Sequence, residues 1–298
     1  MSKILYWIVL KPVSRLPYFL LYRVSDFVFF LRYVVLGYRK KVVMGNLKMA
    51  LPHLTEKEHK KIAWDFYRHF CDVIVEAVKN FSVKEEDLLK RMKITNPEVL
   101  NAFAAQGKSV ILAGGHYSNW ELWALSSPLQ MNMPLVAIYK KLTNAFFDAK
   151  MRESRAKYGM QLVPTSQVKN YLNEHSEETM CLVFAIDQSP GDPRKCIWID
   201  FMGIDSPTQY GMEKYAKDLN WPVVYGFIDK VKRGYYECRI EIITETPREF
   251  GHGELLQKAS RILEKEIYRE PYLWLWTHKR WKHVGKKAES IGKQGESE

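Results

Sequence analysis

The fold class predicted by this sequence is α/β: a mixed, largely parallel sheet with helices on both faces, plus an N-terminal membrane-associating helical segment. Three observations carry it. Short apolar runs alternate with helical patterns from residue 109 onward, which is how strands joined by crossover helices read. One of those runs, Val110-Ile-Leu-Ala113, drops through Gly114-Gly115 onto His116. The first 36 residues, by contrast, are aromatic and apolar with basic flanks, unlike the rest of the chain.

Residues 4–10 and 16–36 are rich in Leu, Ile, Val, Phe, Tyr and Trp, but Arg23, Asp26 and Arg32 interrupt the second run. A confident membrane span wants about 20 uninterrupted apolar residues, whereas aromatic helices with basic flanks lie in the interface. Attachment to a membrane is therefore expected, with spanning left open. The Arg39-Lys40-Lys41 cluster falls on the cytoplasmic side by the positive-inside tendency. No small-residue cleavage site follows either run, so a removable secretory signal is not indicated.

From Thr55 to about Asn80, Ile62, Phe66, Phe70, Val73, Ile74 and Ala77 recur at helical spacing behind the capping box Thr55-Glu-Lys-Glu58. This predicts a core-facing helix. His69 and Glu76 lie within it and read as surface residues.

Ser109 to Ala113 is a short, branched run of the kind a buried strand shows, and the two glycines give it a sharp exit. His116 then stands at the strand's carboxyl end, the edge at which ligands bind in open α/β sheets. Five residues on is Glu121. The pattern His-x-x-x-x-Glu suits a base and its orienter, one ring nitrogen taking a proton while the carboxylate holds the other. Residues five apart on one helix do not face each other, so this needs His116 in the turn and Glu121 in the first helical turn. Ser118-Asn-Trp-Glu121 equally fits a capping box opening a helix to about Ser127.

Beyond this block the pattern continues with a strand at Leu135–Tyr139, a helix near Asn144–Tyr158 and a strand near Gln161–Val163. A helix at Ser166–His175 and a strand at Thr179–Ile186 follow. Runs at Ile197–Phe201, Val223–Ile228 and Tyr236–Ile243 are expected to extend the same sheet, the last two antiparallel across Lys232-Arg-Gly234. A helix follows from about Glu254 to Tyr268. The domain organisation that results is a membrane-associating segment over 1–45, one catalytic domain over 46–284 and a polar tail over 285–298 expected to be disordered.

The 298 residues carry a formal net charge of +11, and the first 60 hold 11 Lys and Arg against three acidic side chains. A basic end beside so many aromatics suits anionic lipid headgroups; no zinc-finger or RNA-recognition signature points to nucleic acid. Cys71, Cys181, Cys196 and Cys238 are scattered, without Cys-x-x-Cys or a histidine at ligand spacing. Neither a disulfide framework nor a metal site is suggested, no cofactor is called for, and a reducing compartment is expected.

The block Gly115-His116-Tyr-Ser-Asn-Trp-Glu121 resembles the signature of the His-x-x-x-x-Asp/Glu acyltransferases, the superfamily of lysophospholipid and glycerophosphate acyltransferases. It looks specifically like the branch containing the late lipid A acyltransferases, the lauroyl and myristoyl transferases of Gram-negative inner membranes. Further blocks resemble that family in its order: Tyr38-Arg-Lys-Lys-Val-Val with Asn46-Leu and Leu51-Pro52, Tyr139-Lys140 with Asn144, Asp187-Gln188, Phe201-Met-Gly203 and Trp276-x-His278-x-Arg280. Tyr139-Lys140-Lys141 lacks the family's common Arg-Pro, which leaves acceptor recognition open.

The resemblance implies a membrane-associated enzyme at the inner membrane, its catalytic domain on the cytoplasmic side, that transfers a fatty acyl chain from a thioester to a hydroxyl of a lipid A precursor. Acyl carrier protein is the implied donor, with acyl-coenzyme A the alternative, since a basic surface attracts both. His116 is the implied general base, and Glu121 is to fix the imidazole tautomer and stabilise the imidazolium. Arg155 matches a family arginine and is assigned to substrate binding, although its Arg/Lys-rich helix alone reads as surface. Asp187, at the end of an apolar strand, matches the Asp-Gln block and is assigned likewise, with a cap or turn as the alternative. His278 is left out of catalysis. The same machinery also suits acylation of a lysophospholipid, an aminolipid or another glycolipid, hydrolysis of the thioester by water, or a non-catalytic lipid-binding scaffold with a structural His116.

Overall fold

The computed structural model describes residues 2–287, so most of the predicted 285–298 tail lies outside the described residues. The chain opens with α1 (Ser2–Ile4), a π-helical stretch (Leu5–Leu10) and α2 (Lys11–Arg15). Pro17 separates these from α3 (Tyr18–Phe29), which passes into a second π stretch (Phe30–Val35) before α4 (Lys40–Ala50). Trp7, Ile8, Phe19, Phe27, Phe30 and Leu36 are exposed, while Leu21 and Ser25 of α3 are buried. No helix among the described residues is long and apolar enough to cross a membrane, which removes the spanning option for them. The reason is visible in the break at Pro17 and in the charges of α3 and its extension.

The predicted long helix is α5 (Glu56–Lys79), and its capping box forms: Thr55 Oγ1 accepts from the Glu58 N–H at 3.3 Å, while Glu58 Oε2 accepts from the Thr55 N–H at 2.7 Å. Phe66 and Val73 are buried as expected. His69, Asp72 and Glu76 are buried as well, so the surface expectation for His69 and Glu76 is corrected.

The remaining elements run in order as α6 (Glu85–Arg91), β1 (Met92–Ile94), α7 (Glu98–Ala105), β2 (Val110–Gly114) and α8 (Trp120–Ser126). Then come β3 (Leu135–Tyr139), α9 (Ala145–Ala156), β4 (Gln161–Pro164), α10 (Val168–Glu174) and β5 (Cys181–Ala185). After β6 (Ile197–Phe201) and β7 (Ile204–Thr208) the chain closes with α11 (Gly211–Leu219), β8 (Val223–Lys232), β9 (Tyr235–Thr244) and α12 (Glu254–Arg269).

Seven strands form one sheet in the order β1-β9-β8-β2-β5-β3-β4. Every neighbouring pair is parallel except β8 with β9, which turn at Gly234 as predicted. Both faces are covered, which is why the strands read as continuous apolar runs. Ile111 and Ala113 face a core built with α12, α11 and part of α5, whereas Val110 and Leu112 face one built with α6, α7 and α8.

One strand expectation fails: β6 does not extend the main sheet but pairs with β7 in a separate antiparallel hairpin. Met202 (φ 56°) and Gly203 (φ 75°) are both left-handed, the geometry of a tight two-residue turn. The backbone N–H groups of Asp200 and Met202 donate to Gln257 Oε1 and Glu264 Oε1 of α12. With those donors engaged, β6 hangs on a helix rather than on another strand.

Candidate active site

The centre of the sheet places the site. In the parallel pairing of β2 with β5, Gly114 lies opposite Ala185, and the Ile186 N–H continues the ladder by donating to the Gly114 carbonyl at 2.9 Å. Two residues beyond each of those partners stand His116 and Asp187. Register alone therefore brings the two side chains together at the carboxyl edge of adjacent strands.

Their contact is close and doubled. Asp187 Oδ1 is 2.7 Å from His116 Nδ1, and Asp187 Oδ2 accepts from the His116 backbone N–H at 2.8 Å. The Trp274 indole N–H donates to the same Oδ2 at 2.9 Å. An ionised carboxylate only accepts, so Nδ1 carries the imidazole proton and Nε2 is left with its lone pair. The Gln188 amide nitrogen lies 3.1 Å from that Nε2. The His116 side chain keeps 19% of its surface exposed against 2% for Asp187, so the pair opens outward through the histidine.

The charges follow from this geometry. Burial works against protonation of His116, but the charge and hydrogen bond of Asp187, helped by Glu121, outweigh it and raise the imidazole pKa above its ordinary value. Burial likewise opposes ionisation of Asp187, yet the His116 ring and backbone and the Trp274 indole bring its pKa down to about 2. Both shifts favour a buried carboxylate beside a basic imidazole.

Glu121 stands in the first turn of α8, as the spacing required, but it does not hold His116. Its carboxylate takes the Arg155 fork, with Oε2 accepting from Nε at 3.1 Å and Oε1 from Nη2 at 2.6 Å, and Oε1 also accepts from the Trp120 indole at 3.2 Å. The orienting role expected of Glu121 is thus corrected: the carboxylate on the imidazole is Asp187. The capping-box alternative fails too. Asn119, not Ser118, caps α8, its Oδ1 accepting from the Leu122 N–H at 2.9 Å. Ser118 is fully buried with φ 55°, a left-handed conformation that a non-glycine residue adopts only where its surroundings impose it.

Those surroundings are the C-terminal segment and α12. Ser118 N–H donates to the Leu273 carbonyl at 2.9 Å, and Leu275 N–H donates to the His116 carbonyl at 3.1 Å. A Cβ on Gly115 would stand 2.8 Å from the buried Leu263 side chain, so any larger residue in this turn would have to push α12's packing aside. The Trp276-x-His278-x-Arg280 block braces from behind. Asn46 donates to the carbonyls of Trp276 and His278 at 2.9 and 2.8 Å, and the buried Arg280 donates to the Pro207 carbonyl at 2.6 Å. His278 is itself pushed down to about 4 by burial, against the pull of Asp187.

The structure therefore joins His116 with Asp187 and Glu121 with Arg155, side by side at one sheet edge. Sequence reasoning did not single out Trp274 or Gln188. Gln188 sits beside Asp187 in a block already matched, whereas nothing in the spacing of Trp274 separates it from a packing tryptophan. No group of three or more His, Cys, Asp or Glu side chains that could hold a metal ion occurs among the described residues.

The family model for bacterial lipid A biosynthesis acyltransferase matches residues 1–283. The chain is 20% identical over 287 residues to the lipid A biosynthesis lauroyltransferase of Escherichia coli (strain K12), covering 93% of this chain and 92% of the relative. It is 20% identical over 248 residues to the lipid A biosynthesis palmitoleoyltransferase of the same strain, covering 82% and 79%. A lipid A biosynthesis acyltransferase of Haemophilus influenzae (strain ATCC 51907 / DSM 11121 / KW20 / Rd) is 20% identical over 292 residues, covering 93% and 90%.

Proposed function

We propose, from the premise that this chain belongs to the bacterial lipid A biosynthesis acyltransferases, that it moves a fatty acyl chain from a thioester to a hydroxyl of a lipid A precursor with His116 as general base. The observation that carries the mechanism is the 2.7 Å contact between His116 Nδ1 and Asp187. Asp187 fixes the tautomer in which Nε2 is the base and compensates the charge when the ring becomes imidazolium. This replaces a His116–Glu121 couple with a His116–Asp187 couple.

The acceptor hydroxyl takes the place of the Gln188 amide at Nε2 and gives its proton to the imidazole as its oxygen bonds to the thioester carbonyl carbon. Collapse of the tetrahedral intermediate breaks the carbon–sulfur bond, and the departing thiolate recovers the proton from the imidazolium. No acyl-enzyme is required, because the thioester is already activated. Arg155, held by Glu121, supplies fixed positive charge beside the reacting groups. The donor is acyl carrier protein or acyl-coenzyme A, each an anion suited to a basic chain.

The apolar residues exposed between Ile4 and Leu36 support attachment in the plane of the membrane interface, with Arg39, Lys40 and Lys41 toward anionic headgroups on the cytoplasmic side of the inner membrane. Interfacial attachment also suits an enzyme whose acceptor is a lipid.

The decisive experiment compares wild type with His116→Ala, purified, supplied with acyl thioester and lipid A precursor, and read by mass spectrometry of the lipid. Wild type is expected to add one acyl chain and the variant to lose about 10²–10⁴-fold in turnover. Near wild-type turnover in the variant would remove His116 as the base. Acylation of a lysophospholipid or another glycolipid in place of the precursor would change the acceptor, and release of free fatty acid alone would make the enzyme a thioesterase.

A further inference from the structure

The helix α5 runs beneath the turn that follows His116, and the face it buries there is polar. His69, Asp72 and Glu76 are each less than 5% exposed. Carboxylates so deep need donors, and Glu76 has three from three different elements. Tyr22 of α3 donates its hydroxyl to Oε1 at 2.6 Å, and Tyr236 of β9 donates to Oε2 at 2.9 Å. The third donor is the side-chain amide of Asn119, also to Oε2.

Asn119 links this carboxylate to the site. Its amide nitrogen is spent on Glu76 while its oxygen caps α8, the helix whose first turn carries Glu121. One residue earlier, the Ser118 carbonyl is 3.2 Å from His69 Nε2 of the same α5 face. The turn between His116 and Glu121 is thus held through Ser118 and Asn119 by α5, through His116 and Ser118 by the Leu273–Leu275 segment, and through Tyr117 by α12. The α3 end is tied in with equal care: Ser25 donates to Asp72 at 2.7 Å, and Arg233 bridges Asp72 and Asp26.

We propose that Glu76 is a positioning residue for the catalytic turn and that the N-terminal helix α3 completes it through Tyr22, so that this helix supports turnover besides contacting lipid. None of these side chains touches His116, so their effect passes through Asn119 and the placement of the turn. Burial, with the neighbouring Asp72 charge, pushes the Glu76 pKa up to about 7, against the Tyr22 and Tyr236 bonds and the Lys230 charge that lower it. A shift of the turn by a fraction of an ångström matters at this point, because base and orienter work only within a narrow geometry.

The inference rests on His116 as the base, and the experiment separates the two. Purified Tyr22→Phe, Asn119→Ser and the double variant are assayed in detergent micelles, where attachment to a membrane no longer limits the rate, beside His116→Ala. Ser still caps a helix but cannot reach Glu76 as Asn does, so the melting temperature of Asn119→Ser should fall only by what the loss of one donor to a buried carboxylate costs, much as in Tyr22→Phe. Each single variant is expected to lose about tenfold in kcat with an unchanged KM for the thioester, and the double variant no more than the worse single, because both act through one carboxylate. Wild-type kcat in folded Tyr22→Phe and Asn119→Ser, or losses that multiply in the double variant or merely follow the melting temperature, would overturn the role of Glu76. Activity retained by His116→Ala would instead overturn the base assignment.

Discussion

Two charged pairs share the carboxyl edge of the sheet and are built in different ways. His116 and Asp187 leave the ends of neighbouring parallel strands, locked in register by the β2–β5 ladder. Glu121 and Arg155 come from two helices, α8 and α9, and meet by side-chain reach alone. The ends of both strands are hydrogen-bonded to neighbours on either side, so the first pair leaves a firmly tied part of the sheet. The second can adjust with its helices. The proposed base and its orienter suit the first kind of support, and a charge held beside a substrate by a side-chain pair suits the second.

The sharpest way to break this contrast is to neutralise each carboxylate in turn. Asp187→Asn keeps size but exchanges one acceptor oxygen for a donor and removes the charge that fixes the tautomer and compensates the imidazolium, so kcat should fall by about 10²–10⁴-fold. The pH profile gives the sign. The base must be neutral, and Asp187 raises the His116 pKa, so wild-type kcat/KM should climb with pH along a limb lying above the ordinary histidine value. In Asp187→Asn that limb should move to lower pH while its plateau drops. A plateau near wild type, or a limb that stays in place, would return the orienting role to Glu121.

Glu121→Gln should have a smaller effect of a different kind. It leaves His116 and Asp187 in place but takes the counter-charge from Arg155, whose fork then has one neutral acceptor. Turnover is expected to fall about 10- to 100-fold, with no comparable displacement of the pH limb. Stability should fall by about 1–2 kcal/mol, less than for a fully buried pair because both side chains keep some contact with water. Thermal unfolding and the pH profile measured together decide it. A Glu121→Gln enzyme as impaired as Asp187→Asn, with the same pH shift, would erase the distinction between the pairs.

The extent to which this was legible in the sequence follows the same division. Strands β2, β3, β4, β5, β8 and β9 and helix α5 with its cap announced themselves by apolar runs and local turn chemistry, because each signal lies within a few residues. His116 was legible for that reason too. Its partner was not, since Asp187 lies 71 residues away and the two meet only through strand register, which no local pattern encodes. The His-x-x-x-x-Glu pattern points to Glu121 as the orienter, while Asp187 is read as a substrate-binding residue. The buried face of α5 was missed for a subtler reason: His69, Asp72 and Glu76 recur at helical spacing, but polar stripes are ordinarily solvated. Strand β6 is expected in the main sheet and its partner β7 is not foreseen, because a strand pattern does not say which neighbour it will have.

The smallest expected effect belongs to Arg155→Lys, which preserves positive charge and removes the planar two-point bond to Glu121. Had Arg155 served a substrate phosphate with its whole fork, the change would raise the Michaelis constant of one substrate tenfold or more. Two of its donors are already committed to Glu121, however, so what it offers a substrate is mainly charge in a fixed place. Lysine keeps the charge and loses the placement. The expected result is a fall in kcat of about two- to fivefold with the Michaelis constants of both thioester and acceptor nearly unchanged. Steady-state constants for both substrates check it. A tenfold rise in one constant would show that Arg155 leaves Glu121 for that substrate, and the helix-borne pair would then be a recognition site rather than a brace beside the strand-borne one.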